Sequence, residues 1–156
     1  MELKFQVQGR IKRPLERVFN AVCDPGELSA YFTTGGASGP LVEGTTVTWD
    51  FADFPGAFPV QVTKVEPNRR IVLEWEGGEG YDTRVEMEFE SLGKDDTLVK
   101  ISETGWRVSQ KDLDRSYGNC MGWTQMLCCC MVWVEQGINL REGFFDTRTG
   151  KPPGAE

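Results

Sequence analysis

The side chains that could carry out chemistry in this chain are carboxylates, tyrosines and thiols, because its 156 residues include no histidine. The absence of histidine excludes Ser-His-Asp and Cys-His catalysis, metal ligation by imidazole and the usual general base near neutral pH. Three polar residues in or beside predicted strands, Asp53, Tyr81 and Asp82, could transfer protons if they lined a pocket. They form no recognisable catalytic constellation, so we predict no catalytic residues and favour binding over catalysis.

Five cysteines supply the remaining reactive groups, and Cys128, Cys129 and Cys130 are consecutive. Neighbouring helical residues point about 100° apart, so these three cannot pair with one another in a helix. The sequence has no Cys-x-x-Cys pair and no histidine to complete a mixed metal site. We therefore predict buried thiols in a reducing compartment, with no metal and no cofactor. Cys129 would be the reactive thiol if it were exposed.

The charge and composition argue against two classes of partner. A net charge of −7 does not provide the positive footprint that nucleic acid or an anionic membrane surface requires. No run approaches the ~20 apolar residues that span a bilayer, and residues 1–5 enter a strand pattern directly rather than forming a signal peptide. We expect a cytoplasmic protein that binds neither nucleic acid nor membrane.

The N-terminal quarter of the chain predicts one strand and two short helices. Residues 3–11 alternate apolar and polar side chains, as in a strand with one wet face. An apolar stripe at helical spacing covers residues 14–22 and stops at Asp24-Pro25, since proline disfavours helix in the residue before it. A second helical turn is predicted around residues 28–32, and the Gly- and Ser-rich residues 33–44 predict a loop.

A β-meander and a long helix make up the rest of the prediction. Residues 46–104 alternate apolar and polar side chains with short connections, which indicates antiparallel strands with one apolar face and one face rich in Glu and Thr. No proline interrupts the helical pattern of residues 117–141. An apolar stripe of this helix is predicted to cover the sheet. The stripe consists of Cys120, Thr124, Leu127, Met131, Val134 and Ile138.

A second apolar stripe lies on the opposite side of the same helix and consists of Met126, Cys129, Trp133 and Leu140. A helix with a single buried face should be polar there. An apolar stripe on that side marks either docking within the chain or an interface between chains. We favour docking on the N-terminal helices over a homodimer.

These elements predict an α+β fold in which a curved antiparallel sheet of about six strands wraps around the C-terminal helix. Residues 1–145 are expected to form one domain, and the Pro- and Gly-rich residues 146–156 a flexible tail. A sheet curled around a helix leaves a cavity, and Thr104 and Thr124 are preferred there as polar contacts over Tyr81, Arg84 and Glu103. The predicted ligand-binding residues are Trp49, Phe58, Trp75, Thr104, Trp106, Thr124, Leu127, Cys128 and Met131.

Short motifs between about Lys4 and Gly143 carry a family resemblance through their order and spacing. They are Pro14–Val22 with Asp24-Pro25 and Leu28–Phe32, then Phe58–Val62, Val65–Arg70 and Leu73–Trp75, and finally Gly122-Trp123, Leu127 and Val134–Gly137. Together they resemble the START-like superfamily, also called SRPBCC or helix-grip, and within it the heat-shock-protein-90 ATPase-activator-like branch. The chain departs from that branch at Cys128–Cys130, where the branch commonly has Leu-Lys.

The resemblance implies a helix-grip fold but several activities, because the superfamily includes lipid and hormone binders, polyketide cyclases and co-chaperone-like domains. Our leading hypothesis is a non-enzymatic monomer or homodimer that binds a small apolar or amphipathic molecule between helix and sheet. The second is an interaction module that stimulates a heat-shock-protein-90-type ATPase, with the acidic sheet face docking a basic chaperone surface. The third is a polyketide cyclase- or dehydratase-like enzyme that uses Asp53, Tyr81 or Asp82.

Overall fold

The computed structural model describes residues 1–145, with Pro55 described by its backbone alone. In this part of the chain, seven strands form one antiparallel sheet. The strands are β1 Leu3–Ile11, β2 Gly36–Ala37, β3 Thr46–Phe51, β4 Phe54–Glu66, β5 Arg70–Gly78, β6 Tyr81–Gly93 and β7 Asp96–Trp106. Their spatial order is β1-β7-β6-β5-β4-β3-β2. The predicted meander is confirmed, and the two-residue β2 adds a strand inside the predicted loop. The predicted tail, residues 146–156, lies outside the described residues.

Three helices complete the helix-grip fold: α1 Leu15–Cys23, α2 Pro25–Tyr31 and α3 Gln110–Gln136. Asp24 ends α1 and caps α2, since its side chain accepts a hydrogen bond of 2.9 Å from the backbone N–H of Glu27. Ser109 caps α3 in the same way through Asp112. The helix therefore begins at Gln110 rather than at the predicted residue 117. The prediction missed its first turns because they are polar and carry no apolar stripe. It ends at Gly137, whose φ of 69° only glycine adopts readily.

The buried arc of α3 is centred between the two predicted stripes and includes Trp123, Met126, Cys130 and Val134. The prediction that Thr124 and Met131 face the sheet is wrong, since both are exposed. The reason is that α3 packs on two partners at once, the sheet on one side and the N-terminal helices on the other.

The contact of α3 with the N-terminal helices confirms the predicted docking of its second stripe. Trp133 Nε1 donates a hydrogen bond of 2.7 Å to the Glu27 carboxylate of α2. Cys130 lies beside the Tyr31 hydroxyl, which donates 2.9 Å to the carbonyl of Ala21 in α1. Within residues 1–145, no helix is both long enough and apolar enough to cross a membrane.

Candidate functional site

A cavity of about 320 Å³ opens between α3 and the strands β3, β4 and β5. Seven aromatic rings form most of its wall: Phe32, Phe51, Phe54, Phe58, Trp75, Trp123 and Phe145. Four polar side chains also line it: Glu76, Asn119, Gln125 and Arg141. Gly118, Met121 and Gly122 of α3 complete the lining.

The aromatic wall is a continuous set of ring contacts. Trp123 lies 5.4 Å from Trp75 between ring centroids, and it stacks on Phe32 at 5.6 Å. Phe32 meets Phe51 edge-to-face at 5.1 Å. Trp49 stands behind this layer and packs edge-to-face against Trp75 at 6.0 Å. Such offset and edge-to-face pairs hold each ring in a defined orientation.

Glu103 of β7 lies directly behind the aromatic wall and is fully buried, with 0% of its surface exposed. Trp123 Nε1 donates to it at 2.9 Å, Thr83 Oγ1 at 2.6 Å and Trp75 Nε1 at 3.3 Å. The amide of Asn119 donates to both carboxylate oxygens, at 3.1 and 3.2 Å. Indole N–H groups can only donate, so both carboxylate oxygens act as acceptors.

No cation balances this carboxylate within the described chain, because none of the ion pairs of residues 1–145 involves Glu103. Neutral donors replace the water that a buried carboxylate loses. Three of the four donor residues, Trp75, Asn119 and Trp123, also line the cavity. Glu103 is therefore a positioning residue that fixes part of the cavity wall from behind.

The strand register brings these groups together. Glu103 of β7 pairs with Val85 of β6, and Trp75 of β5 pairs with Thr83 of β6. The inward side chains of Trp75, Thr83 and Glu103 are therefore neighbours. Gly77 leaves room for the Thr83 side chain, since a Cβ at Gly77 would lie 2.0 Å from Thr83 Oγ1. The pair Gly77-Gly78 thus belongs to β5 and serves close packing there.

Two glycines on α3 keep the opposite wall of the cavity open. Gly118 and Gly122 lie one helical turn apart and both line the cavity. A Cβ added at either position would meet no other atom within 4 Å. Glycine in a helix interior costs roughly 0.5–1 kcal/mol relative to alanine, so neither glycine is explained by crowding or by helix stability.

A C-terminal strap, residues 137–145, closes one side of the cavity. Its Arg141 forms two hydrogen bonds of 2.7 Å to Asp53 at the tip of the β3–β4 hairpin, and both side chains are buried. The Arg141 guanidinium lies 4.8 Å from the centre of the Phe145 ring. Phe145 packs edge-to-face on Phe54 at 5.4 Å. The ion pair therefore joins the strap to the hairpin where both line the cavity.

The structure brings together only part of the predicted ligand-binding set. Phe58 and Trp75 line the cavity. Thr124 and Cys128 line a separate depression between the outer side of α3 and the strap. Trp49, Trp106 and Leu127 are buried outside the cavity lining, whereas Met131 is exposed. Thr104 pairs with Arg84 on the outer sheet face, because its parity is opposite to that of Glu103.

Sequence reasoning missed the buried role of Glu103, although the strand pattern carried a signal for it. Val99 and Ile101 are inward residues of β7, and Glu103 continues their alternation. The candidate proton-transfer residues lie elsewhere: Asp53 pairs with Arg141, and the Tyr81 hydroxyl donates 2.8 Å to Asp112. None of Asp53, Tyr81 and Asp82 is among the residues that line the cavity.

The structure does not meet the condition under which Cys129 would be the reactive thiol, namely its exposure. Cys129 is fully buried, and burial raises its thiol pKa. Burial also raises the pKa of Cys23 and of Cys130 to about 12. Cys128 is the exposed cysteine, and Cys120 is half-buried. Because the thiolate is the reactive form, accessibility favours reaction at Cys128.

Ellman's reagent is therefore expected to modify one thiol rapidly in the folded protein, at Cys128, and the two buried thiols, Cys129 and Cys130, only on unfolding. The Cys128→Ser variant should lose the fast phase, whereas Cys129→Ser should keep it. Stopped-flow absorbance measures both phases. A fast phase that survives in Cys128→Ser would contradict this assignment.

Comparison with known families gives one match. The family model described as "Activator of Hsp90 ATPase homolog 1-like protein" matches residues 12–128. A search of curated proteins finds no match.

Solved structures share the fold at low sequence identity. Protein SSP2350 from Staphylococcus saprophyticus has a TM-score of 0.75 and 23% identity, over 89% of this chain and 96% of that one. The Aha1 dimer from Colwellia psychrerythraea has a TM-score of 0.74 and 21% identity, over 86% and 98%. DynU16, from the dynemicin biosynthetic locus, has a TM-score of 0.77 and 22% identity, over 88% of this chain and 49% of that one. Identities this low establish a shared fold, the helix grip, and leave the function open.

Proposed function

We propose that this chain, which belongs to the family of Activator of Hsp90 ATPase homolog 1-like proteins, binds a small, largely apolar molecule in the cavity between α3 and the sheet. The cavity of about 320 Å³ has room for about ten water molecules at their liquid volume. This is the lower end of the range for small-molecule pockets. Its aromatic wall provides apolar contact, and a few polar groups could orient the ligand.

Gln125 in the polar lining offers a donor that could orient a ligand. The Gln125 side-chain nitrogen is buried and has no hydrogen-bond partner within residues 1–145. Arg141 and Asn119 also reach the lining, but each terminal nitrogen of Arg141 bonds to Asp53 and the Asn119 amide bonds to Glu103. A ligand hydroxyl or carbonyl that accepts from Gln125 would satisfy that nitrogen.

The observation that carries the proposal is the pair of cavity-lining glycines. Alanine at Gly118 and Gly122 would fit without a clash and would favour the helix by roughly 0.5–1 kcal/mol at each position. Both positions line the cavity, so side chains there would take up space at its wall. A helix that gives up stability to keep a cavity open is what a binding function predicts.

The test is binding of N-phenyl-1-naphthylamine, a neutral dye whose fluorescence increases in apolar surroundings. The wild-type protein is expected to bind it with one-to-one stoichiometry and to quench the emission of Trp75 and Trp123, which line the cavity. Gly122→Leu should reduce the affinity at least about tenfold, because the new side chain occupies the space of the dye. Its melting temperature should stay equal or rise, since the helix gains a better former.

The matched control is Gln136→Leu, which adds the same side chain at an exposed position at the end of α3. It should bind the dye as the wild type does. If Gly122→Leu kept full affinity, the dye would bind elsewhere. The absence of dye binding to the wild type, together with no melting shift over a panel of small apolar compounds, would overturn the proposed function.

Stimulation of a heat-shock-protein-90-type ATPase is the second candidate, and the family description supports it. The outer sheet face supplies a possible contact surface, since Glu74, Glu88 and Glu90 lie there beside Glu86, which pairs with Arg70 and Arg84. A chaperone ATPase rate that is unchanged by this protein would exclude this candidate and leave the cavity proposal unaffected.

A further inference from the structure

We infer that the cavity selects an organic cation, such as an alkylated ammonium, over neutral and anionic molecules of the same shape. The inference rests on the proposed function, because it names the class of ligand for the same cavity. The charges around the cavity and the orientation of the indole rings in its wall support this inference.

The charges around the cavity sum to a negative value. Glu76 lines the cavity at a solvent-exposed position, where it accepts from the backbone N–H of Gly80, and Glu103 lies buried behind the wall with neutral donors alone. Arg141 is the one cationic residue among the lining residues of the described chain. Its charge is matched by Asp53, which it contacts through two bonds of 2.7 Å. Two carboxylates thus remain without a cationic partner at the cavity.

The orientation of the indole rings adds to this preference. Trp75 and Trp123 both point their N–H groups at Glu103, at 3.3 and 2.9 Å. Donation to a carboxylate polarises a hydrogen-bonded group. The faces of an indole ring already carry the negative side of its quadrupole, and tryptophan is the best aromatic partner for a cation. Both rings line the cavity, so a ligand there contacts electron-rich groups backed by a negative charge.

Among the described residues, an anionic ligand would find no cation without a carboxylate partner at the same place, and the unpaired Gln125 amide is a neutral donor. Both terminal nitrogens of Arg141 already bond to Asp53, and the nitrogen of Asn119 bonds to Glu103. An anion would also be repelled by Glu103 across a single layer of side chains. Repulsion of this kind is stronger in a protein interior than in water, because the effective dielectric constant is lower.

A neutral ligand would fill the apolar space but would leave the buried Glu103 carboxylate without a compensating charge. A cation provides that compensation and contacts the aromatic rings that line the cavity. A cation–π contact strengthens binding by roughly two- to thirtyfold, with the upper value for desolvated sites. Preference for a cation over its neutral analogue is therefore expected to reach about tenfold in affinity.

Three phenols that differ mainly in charge provide the test. They are (4-hydroxyphenyl)trimethylammonium, 4-tert-butylphenol and 4-hydroxybenzenesulfonate, and their hydroxyl group can accept from Gln125. Isothermal titration of the wild-type protein is expected to give about tenfold tighter binding for the cation than for the neutral phenol, and the weakest binding for the sulfonate. The comparison uses the wild-type protein and so does not depend on the folding of a variant.

A variant locates the source of the preference. Glu103→Gln keeps the side-chain shape and removes the charge, so it should bring the affinities for the cation and the neutral phenol to within about threefold of each other. Glu90→Gln, at an exposed position of β6, is the matched control and should keep the preference. If Glu103→Gln does not fold, as judged by circular dichroism, the affinities of the wild-type protein for the three phenols decide whether the cavity prefers a cation.

The outcomes separate this inference from the function on which it rests. Equal or tighter binding of 4-tert-butylphenol would overturn cation selection and leave ligand binding in place. Binding of N-phenyl-1-naphthylamine without binding of any of the three phenols would do the same. If neither the dye nor any phenol bound, both proposals would be wrong.

Discussion

Replacing Glu103 with alanine is expected to lower the free energy of unfolding by about 3 kcal/mol or more, because a buried donor left without an acceptor costs about 1–3 kcal/mol. Four donor groups lose their acceptor at once: those of Trp75, Thr83, Asn119 and Trp123. The indole N–H groups cannot rotate towards another acceptor without moving the rings that pack in the aromatic wall. Urea denaturation followed by tryptophan fluorescence measures the effect.

Two controls show whether the carboxylate itself is responsible. Glu90→Ala makes the same change at an exposed position of β6 and should alter stability by no more than about 0.5 kcal/mol. Thr83→Val removes the donor at 2.6 Å, and its effect should couple to that of Glu103→Ala by about 1 kcal/mol in a double-mutant cycle. An unfolding midpoint for Glu103→Ala equal to that of the wild type would mean that water satisfies the donors instead.

The sheet could be predicted from sequence because period-two alternation depends on burial of one face, and that rule holds along the whole meander. The same rule places Glu103 inside, two residues beyond Ile101. What it does not supply is the reason for a carboxylate there. That reason lies in donors from β5, β6 and α3, which are separated from Glu103 by 16 to 28 residues along the chain.

The buried face of α3 could be predicted less well, because an apolar stripe indicates burial but not the direction of the neighbour. Two stripes predict two contacts, and the structure places the buried arc between them, with Cys130 against Tyr31 and Trp133 bonded to Glu27. Thr124 and Cys128 consequently lie on the outer side of the helix. The sequence predicts both residues in the cavity because its apolar stripe turns their side of the helix towards the sheet.

The ion pair of Asp53 with Arg141 had no sequence signal, since the two residues are 88 positions apart and lie in a hairpin tip and a strap without regular structure. Arg141 instead falls at the end of the helix that the sequence predicts. The helix stops earlier at Gly137, which frees the following residues to cross to the β3–β4 hairpin. A single helix-ending glycine thus decides which residues close the cavity.

Replacing Arg141 with alanine is expected to lower the free energy of unfolding by about 3–5 kcal/mol, the usual cost of leaving one partner of a buried ion pair uncompensated. Asp53, with 9% of its surface exposed, would be left without its ion-pair partner. Asp53→Ala should cost a similar amount. The double variant should lose less than the sum of the two single variants, because it leaves no buried charge unpaired.

Dissociation of N-phenyl-1-naphthylamine adds a readout that a purely structural pair would leave unchanged. Arg141 holds the strap to the hairpin, and Phe145 and Phe54 both line the cavity. Loosening this contact should speed dye release at least about tenfold in stopped-flow fluorescence, with a smaller change in the association rate, since affinity changes act mostly through dissociation. The surface ion-pair variant Arg10→Ala, whose partner Asp96 is remote from the cavity lining, should release the dye at the wild-type rate. If Arg141→Ala lowered stability but left dye release unchanged, the strap would be a structural clasp, and the ligand would enter and leave by another side of the cavity.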